Sequence, residues 1–267
     1  MAPMNEFLDV AIAAAQAAGR IHRFYAADAD KQVDTKANFA DIVTKVDKLS
    51  EARIREVLSG AFPDHAILGE EGGEKGAAGA THRWIVDPLD GTTNYAARFP
   101  FYCVSVALEI EGTVEVGVVL DSVRDRLYTA VRGQGARVDG GPIAVTGTTE
   151  LRQAVVSTGF NAVEDDIREN LGAFALGLRE ARAVRRAGAG ALDLCLVACG
   201  SADAFWELTL NPWDVAAGTL IVREAGGKVT DENGAEYDIR HPALVASNGH
   251  LHGQLLDLLK RGGVRER

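Results

Sequence analysis

The sequence predicts a mixed α+β and α/β protein: an antiparallel-sheet half over residues 1–148, followed by an α/β half over residues 149–267. Three features carry that prediction. Residues 102–145 (YCVSVALEIEGTVEVGVVLDSVRDRLYTAVRGQGARVDGGPIAV) show β-branched alternation broken by Gly112, Gly133, Gly135 and the Gly140–Gly141 pair, as in an antiparallel meander. Two stretches with the apolar spacing of helices precede it. Beyond it, short apolar strands alternate with helical runs, the texture of an α/β unit.

The elements follow in order. From Asn5 to about Tyr25, a helical face carries Phe7, Ala11, Ala14, Ala18, Ile21 and Tyr25. A second helix spans Lys45 to Ser59, with Val46, Leu49, Ile54, Val57 and Leu58 as its apolar stripe. Thr44 suits its N-cap, and Asp47, three residues on, suits the capping-box partner. AFPDHAILGEEGGEKGAAGA supplies a strand and a flexible loop, and Trp84–Val86 the next strand. After the meander come a strand in AVVSTG, a helix near Asp166–Ala181, a helix in GALDLCLVACG and a strand in ADAFWEL. A helix from Pro212, further strands and a closing helix after Asn248 complete the chain.

Composition narrows the function. The chain has 267 residues, 47% hydrophobic and 25% charged, enough for a substantial core. A net charge of −10 without a Lys/Arg block argues against general nucleic-acid binding, which neutralises phosphates with basic residues. An acidic protein that takes an anionic substrate needs a local device to reverse its field, and metal ions are the obvious one. Cys103, Cys195 and Cys199 form an odd, sparse set without Cys-x-x-Cys, which argues for a reducing compartment; Cys195 and Cys199 suit core packing. VAIAAAQAAG is too short to span a bilayer and lacks a basic flank, so the expectation is a cytoplasmic protein without membrane contact.

Common catalytic signatures are absent: no phosphate-binding G-x-x-x-x-G-K-[ST], no complete G-x-G-x-x-G, no G-x-S-x-G elbow. His250-x-His252 reads as the solvated face of a polar helix. What remains is carboxylates at element ends: Glu70 and Glu71 after an apolar strand, Asp87 and Asp90 after Trp84–Val86, and Asp214 in a first helical turn behind Asn211 and Pro212. Each alone also reads as helix-dipole or turn chemistry. Together they are oxygen ligands suited to a hard cation such as magnesium. Pro88 stiffens the turn, so both aspartates and the Leu89 carbonyl can converge, and the Gly91 and Thr92 amides offer a phosphate seat.

At these residues the sequence resembles the inositol monophosphatase family of magnesium-dependent, lithium-sensitive sugar and polyol phosphatases. The resemblance runs in order through KANFADIVTKVD, GEEGG, WIVDPLDGTTNY, GVVLDSVRDRLYTAVRGQGA, RRAGAGALDLCLVACGSADAFWEL and NPWDVAAGTLIVREAGGKVTD. It implies a layered αβαβα sugar-phosphatase fold and a phosphorylated polyol or sugar as substrate, most closely myo-inositol monophosphate. It also implies two or three magnesium ions and a homodimer. Glu70, Asp87 and the Leu89 carbonyl would hold the first ion, which activates a water; Asp87 would bridge to a second completed by Asp90 and Asp214. Glu70 would help hold a third through water. Thr92 and Asp47 would orient and deprotonate the attacking water, although helix capping alone also accounts for Asp47. The Gly91 and Thr92 amides with Thr93 would hold phosphate oxygens, and Asp90 and Glu207 would meet substrate hydroxyls, with Gly190 nearby. Fructose-1,6-bisphosphate or a broader range of sugar phosphates is the alternative substrate, and a non-catalytic regulator binding a protein or RNA partner is a third reading. One departure bears on specificity: Ala189 and Gly190 stand where relatives often carry a hydroxyl-bearing residue and an alanine.

Overall fold

The structure, a computed structural model, describes residues 4–28, 31, 33–35, 42–77, 79–160 and 164–265. The Lys36–Asp41 part of the KANFADIVTKVD motif lies outside the described residues. Helix α1 (Met4–Tyr25) buries Phe7, Ala11, Ala14 and Ala18, and its row of alanines lets it lie close on a sheet. Short β1 (Asp34–Thr35) and β2 (Ile42–Val43) pair antiparallel before α2 (Lys45–Ala61). The capping box at Thr44 and Asp47 is present. Leu49 departs from its expected place and stays 37% exposed, because the buried row of α2 runs Val46–Ser50–Ile54–Leu58 and turns away from it.

The first sheet contains β3 (Ala66–Gly69), β4 (Gly73–Lys75), β5 (His82–Asp90), β6 (Cys103–Ile110), β7 (Thr113–Asp121), β8 (Arg126–Val131), β9 (Ala136–Val138) and β10 (Gly141–Pro142). Its order is β10-β9-β8-β7-β6-β5-β3-β4, antiparallel except for β3 beside β5. The meander is therefore present, and part of the expected loop after β3 is strand β4. The strand expected to end at Val86 runs on to Asp90, because its pairing with β6 resumes across an irregularity between Asp87 and Asp90.

The second sheet contains β11 (Val155–Thr158), β12 (Ala183–Arg185), β13 (Ala204–Glu207), β14 (Lys228–Thr230) and β15 (Leu244–Ser247). Its order is β12-β11-β13-β15-β14, parallel through β12, β11 and β13 and antiparallel beyond. The remaining helices are α3 (Thr92–Ala96), α4 (Glu164–Glu180), α5 (Gly190–Ala198), α6 (Pro212–Glu224) and α7 (His252–Arg261). His252 corrects an expectation: it is buried, bonded to Thr230 Oγ1 at 2.8 Å and Ser247 Oγ at 2.9 Å, and only His250 is exposed. The first residue of α7 faces the sheet beneath it, where buried hydroxyls supply partners that a polar surface pattern does not reveal.

Alternation along the strands builds the layers. Trp84, Val106, Leu108 and Val118 face Phe7 and Ile54 from α1 and α2. Ile85, Ala107 and Val119, one residue out of phase, face a middle core with Ala191 and Leu194 of α5 and Ala217 and Ile221 of α6. Phe205 and Ala246 close that core from the second sheet, while Trp206 and Val245 point the other way, against Ala173 of α4 and Leu255 of α7. The result is an αβαβα stack, the layered architecture expected above. Among the described residues, no helix is long and apolar enough to cross a membrane.

Two glycines set how tightly α6 sits in the middle layer. A Cβ on Gly117 of β7 would lie 2.8 Å from the Ala217 carbonyl oxygen, and one on Gly218 would lie 2.6 Å from Leu194 Cδ1. Because the obstacle at Gly117 is backbone, Gly117→Ala is expected to lower the unfolding free energy by about 1–3 kcal/mol. Gly60→Ala, in α2 with open space around it, should instead be neutral or stabilising. Urea denaturation compares the two, and an unchanged midpoint for Gly117→Ala would show that the α6–β7 contact tolerates separation.

Candidate active site

The site forms where the ends of β3, β5 and β13 meet the starts of α3, α5 and α6. Glu70 follows β3, its amide donating to the Val86 carbonyl at 3.2 Å. Helix α2 braces this turn from below. Glu51 accepts from the Glu71 amide at 2.7 Å and from Arg55 Nε at 2.8 Å, while Arg55 also donates to the Ile67 and Gly73 carbonyls. Gly69 and Gly72 leave the room this pair occupies, since a Cβ at either would fall within 2.6 Å of the Glu51 carboxylate.

The irregular end of β5 supplies the next group. Asp87 Oδ1 accepts from the Leu89 amide at 2.9 Å, folding its carboxylate back over the turn. Gly91 then takes a left-handed conformation (φ 91°) that starts α3, with the Phe101 carbonyl 3.0 Å from where a Cβ would sit. Thr92 Oγ1 lies 2.8 Å from Asp47 Oδ1 and 3.0 Å from the Leu89 carbonyl, joining α2, the turn and α3 at one hydroxyl. Asp47 also accepts from the Thr44 amide at 2.8 Å, so capping and the contact with Thr92 coexist on one carboxylate.

Asp90 is held by the second half of the chain. Its Oδ2 accepts from the Ala191 amide at the start of α5 at 2.8 Å and from Cys103 Sγ at 3.4 Å. Asp214 sits in the first turn of α6 and accepts from the Asn211 amide at 2.7 Å. Glu207, at the end of β13, sits where a Cβ on Gly159 would come within 1.9 Å of its carboxylate, so only glycine at 159 leaves that space. Asn94 Nδ2 ties α3 to the loop before α5, reaching the Phe101 carbonyl at 2.7 Å and the Ala187 carbonyl at 2.8 Å.

These elements enclose a cavity of about 590 Å³. Of the expected residues, Glu70, Asp90, Gly91, Thr92, Thr93, Gly190, Glu207 and Asp214 line it. Asp87, Leu89 and Asp47 lie buried beneath. Burial pushes the Asp87 carboxyl well above the usual range, and the charges of Glu70, Asp90 and Asp214 push it further. Burial, with the charges of Asp90 and Glu70, raises Asp214 in the same way, against the opposing Asn211 amide. Burial likewise brings Asp90 up to about 6, against the pull of the α5 amides. Glu207 is raised by burial and by Asp214, Asp193 and Asp90. Carboxylates with a buried carbonyl beside them are the donor set of a hard divalent cation, which would relieve their mutual repulsion. A tighter trio lies elsewhere: possible ligand atoms of Asp231, Glu232 and His241 fall within 4.8 Å of one another.

Several participants were not singled out from sequence. Arg186 lines the cavity and offsets part of the negative charge at Glu207. Asp193 is buried in α5 with its carboxyl pushed up to about 8 by burial and the nearby Asp90 charge. The Glu51–Arg55 brace and the Cys103 thiol beside Asp90 also went unassigned. The available signal for Asp193 was an acid inside the apolar run GALDLCLVACG.

A phosphatase with αβαβα architecture is the class that this fold and this cavity define. The Inositol monophosphatase family model matches residues 4–262. The chain is 42% identical to inositol monophosphatase 2 of Solanum lycopersicum, covering 96% of this chain and 98% of that protein. It is 40% identical to Nus factor SuhB of Pseudomonas aeruginosa, covering 96% and 97%. Among solved structures, extragenic suppressor protein suhB from Bartonella henselae superposes with a TM-score of 0.92 at 39% identity, covering 96% of this chain and 99% of that one. Inositol monophosphatase from Anabaena gives 0.86 at 38% identity, covering 96% of each. The chain belongs to the inositol monophosphatase family.

The carboxyl shifts give a pH signature. Groups raised on folding bind more protons in the folded than in the unfolded state, so stability falls as pH rises toward their folded values. With unfolded values near 4, Asp90 at about 6 and Asp193 at about 8 spread that loss over about pH 4 to 8, with Asp193 carrying the part above pH 6. His22 and His252, both lowered to about 4, contribute acid destabilisation only below about pH 6.5. In EDTA, the melting temperature is expected to be lower at pH 8 than at pH 6.5, with added magnesium raising it most at pH 8. A metal-free melting temperature that climbs over this interval would contradict the repulsion among these carboxyls.

Proposed function

We propose that the protein hydrolyses myo-inositol monophosphate to inositol and phosphate with magnesium at Glu70, Asp87, the Leu89 carbonyl, Asp90 and Asp214. The observation that carries this reading is the joining of Asp47, Thr92 and the Leu89 carbonyl at one hydroxyl, beside carboxylates raised by each other's charge. When bound, magnesium supplies positive charge against the phosphoryl oxygens and lowers the pKa of water. Glu70, Asp87 and the Leu89 carbonyl would hold one ion; Asp87, Asp90 and Asp214 would hold a second, and Glu70 would help hold a third through water.

The remaining steps belong to the chain's own groups. Thr92 Oγ1 donates to Asp47, which leaves the hydroxyl oxygen free to accept from the attacking water. The water's proton passes through Thr92 toward Asp47, whose carboxyl burial has already made more basic. A new P–O bond forms as the ester P–O bond breaks, and the departing alkoxide takes up a proton from solvent water, balanced by return of the Asp47 proton to solvent. The Gly91 and Thr92 amides, with Thr93, orient phosphate oxygens. Asp90 and Glu207 accept from substrate hydroxyls, with Gly190 leaving space beside them. Ala189 and Gly190 supply no hydroxyl, so the reading includes side activity on other sugar phosphates. The homodimer and cytoplasmic location belong to the same reading.

A phosphate-release panel with magnesium tests it: myo-inositol 1-phosphate should be turned over fastest, fructose 1,6-bisphosphate more slowly, and millimolar lithium should inhibit. Asp90→Asn should fold and lose about 100-fold or more of the rate. Wild-type turnover by that variant would overturn the site assignment. Faster fructose 1,6-bisphosphate hydrolysis would move the substrate assignment. The relatives named Nus factor SuhB, at 38–40% identity, favour a second reading in which the chain also binds a macromolecular partner. A stoichiometric partner retained by Asp90→Asn supports that role.

A further inference from the structure

We infer that His22, a residue of α1 outside the cavity, is a positioning residue that fixes the cation-binding turn from behind. The inference rests on the proposed cation site and concerns what gives that site its shape. His22 is fully buried. Its Nε2 lies 2.9 Å from the Pro88 carbonyl oxygen and its Nδ1 lies 2.8 Å from Ser122 Oγ. A carbonyl can only accept, so Nε2 carries the hydrogen. In the neutral ring Nδ1 then accepts from the Ser122 hydroxyl. Burial lowers the imidazole to about 4, which keeps the ring neutral at ordinary pH.

The contact falls on a critical peptide unit. The Pro88 carbonyl and the Leu89 amide belong to the same planar peptide. His22 holds its oxygen, and Asp87 Oδ1 holds its N–H at 2.9 Å. Pinned at both ends, that plane cannot rotate without breaking two buried bonds. Its orientation sets both the Asp87 carboxylate, which is one partner, and the Leu89 carbonyl, which begins at the next rotatable bond. The ring itself has little freedom: Tyr95 and Tyr102 lie with ring centroids 6.0 Å away, and Tyr95 Oη donates to the His22 carbonyl at 3.1 Å. Ser122, itself buried, follows β7 and anchors the far side of the ring to the first sheet. Nothing in this arrangement touches substrate or reacting atoms, so the effect passes through the turn.

Replacing His22 with leucine fills the space and leaves the Pro88 oxygen buried without a donor, a penalty that the turn escapes by rotating. His22→Gln keeps an N–H of similar reach. The experiment is calorimetric magnesium titration of the full-length wild type, His22→Leu, His22→Gln and Ser122→Ala, with circular dichroism and melting in EDTA to establish folding. His22→Leu is expected to fold and bind magnesium about tenfold more weakly. His22→Gln should recover to within about threefold of wild type, and Ser122→Ala should show a smaller loss in the same direction. Folded His22→Leu with wild-type affinity overturns the role, as does His22→Gln failing as badly as leucine. Should the leucine variant not fold, wild-type affinity in Ser122→Ala together with loss in His22→Gln overturns it. Absence of magnesium binding by the wild type would instead overturn the cation site, and this role with it.

Discussion

Everything in this molecule is arranged around carboxylates that repel one another in a buried place. Asp87, Asp90 and Asp214 each sit where desolvation disfavours charge, and the charge of Asp90 raises both of the others. Left to side-chain packing, such a cluster would open or take up protons. The fold offsets the conflict with fixed dipoles: the α5 amide holds Asp90, the Asn211 amide holds Asp214, and the Leu89 amide holds Asp87. None of these donors neutralises a charge. They fix where the negative charge stands, and the remaining imbalance is what a cation would answer.

Holding the carboxylates still requires rigid supports, and the supports come from small residues. Alanines bring α1 close to its sheet, and Gly117 and Gly218 let α6 approach both β7 and α5. Gly91, Gly159 and Gly69 do the same at the cavity, each leaving a space that a neighbouring backbone or carboxylate fills. These five glycines stand where a neighbouring backbone, side chain or carboxylate comes too close for a Cβ. That explains why a single middle layer of two helices can serve both sheets.

Local pattern made much of this legible. The meander, the amphipathic α1 and the capping box at Thr44 are short-range features, and period-2 alternation or i, i+4 spacing exposes them directly. The acids of the site were visible as Glu70, Asp87, Asp90 and Asp214 because each lies at or near the end or start of an element, and the motif resemblance ordered them. What stayed hidden depends on distant partners. His252 looked like surface until Thr230 and Ser247 were beside it. Strand β5 looked finished at Val86 because the pairing that extends it belongs to β6. The contacts of Glu51 and Arg55 with the turn after β3, the His22 strut and the α5 amide on Asp90 join residues 12 to 101 positions apart, and no local pattern displays them.

The bond from the Ala191 amide to Asp90 has a consequence for how the protein comes into being. It joins a carboxylate made early in synthesis to a helix made a hundred residues later, and Asp214 arrives later still. Until α5 and α6 have been made, Asp90 lacks the amide that holds it and Asp214 is absent from the site. The set proposed for a second ion, Asp87, Asp90 and Asp214, would therefore be complete only after long-range loop closure, whereas Glu70, Asp87 and the Leu89 carbonyl all lie in the first third of the chain.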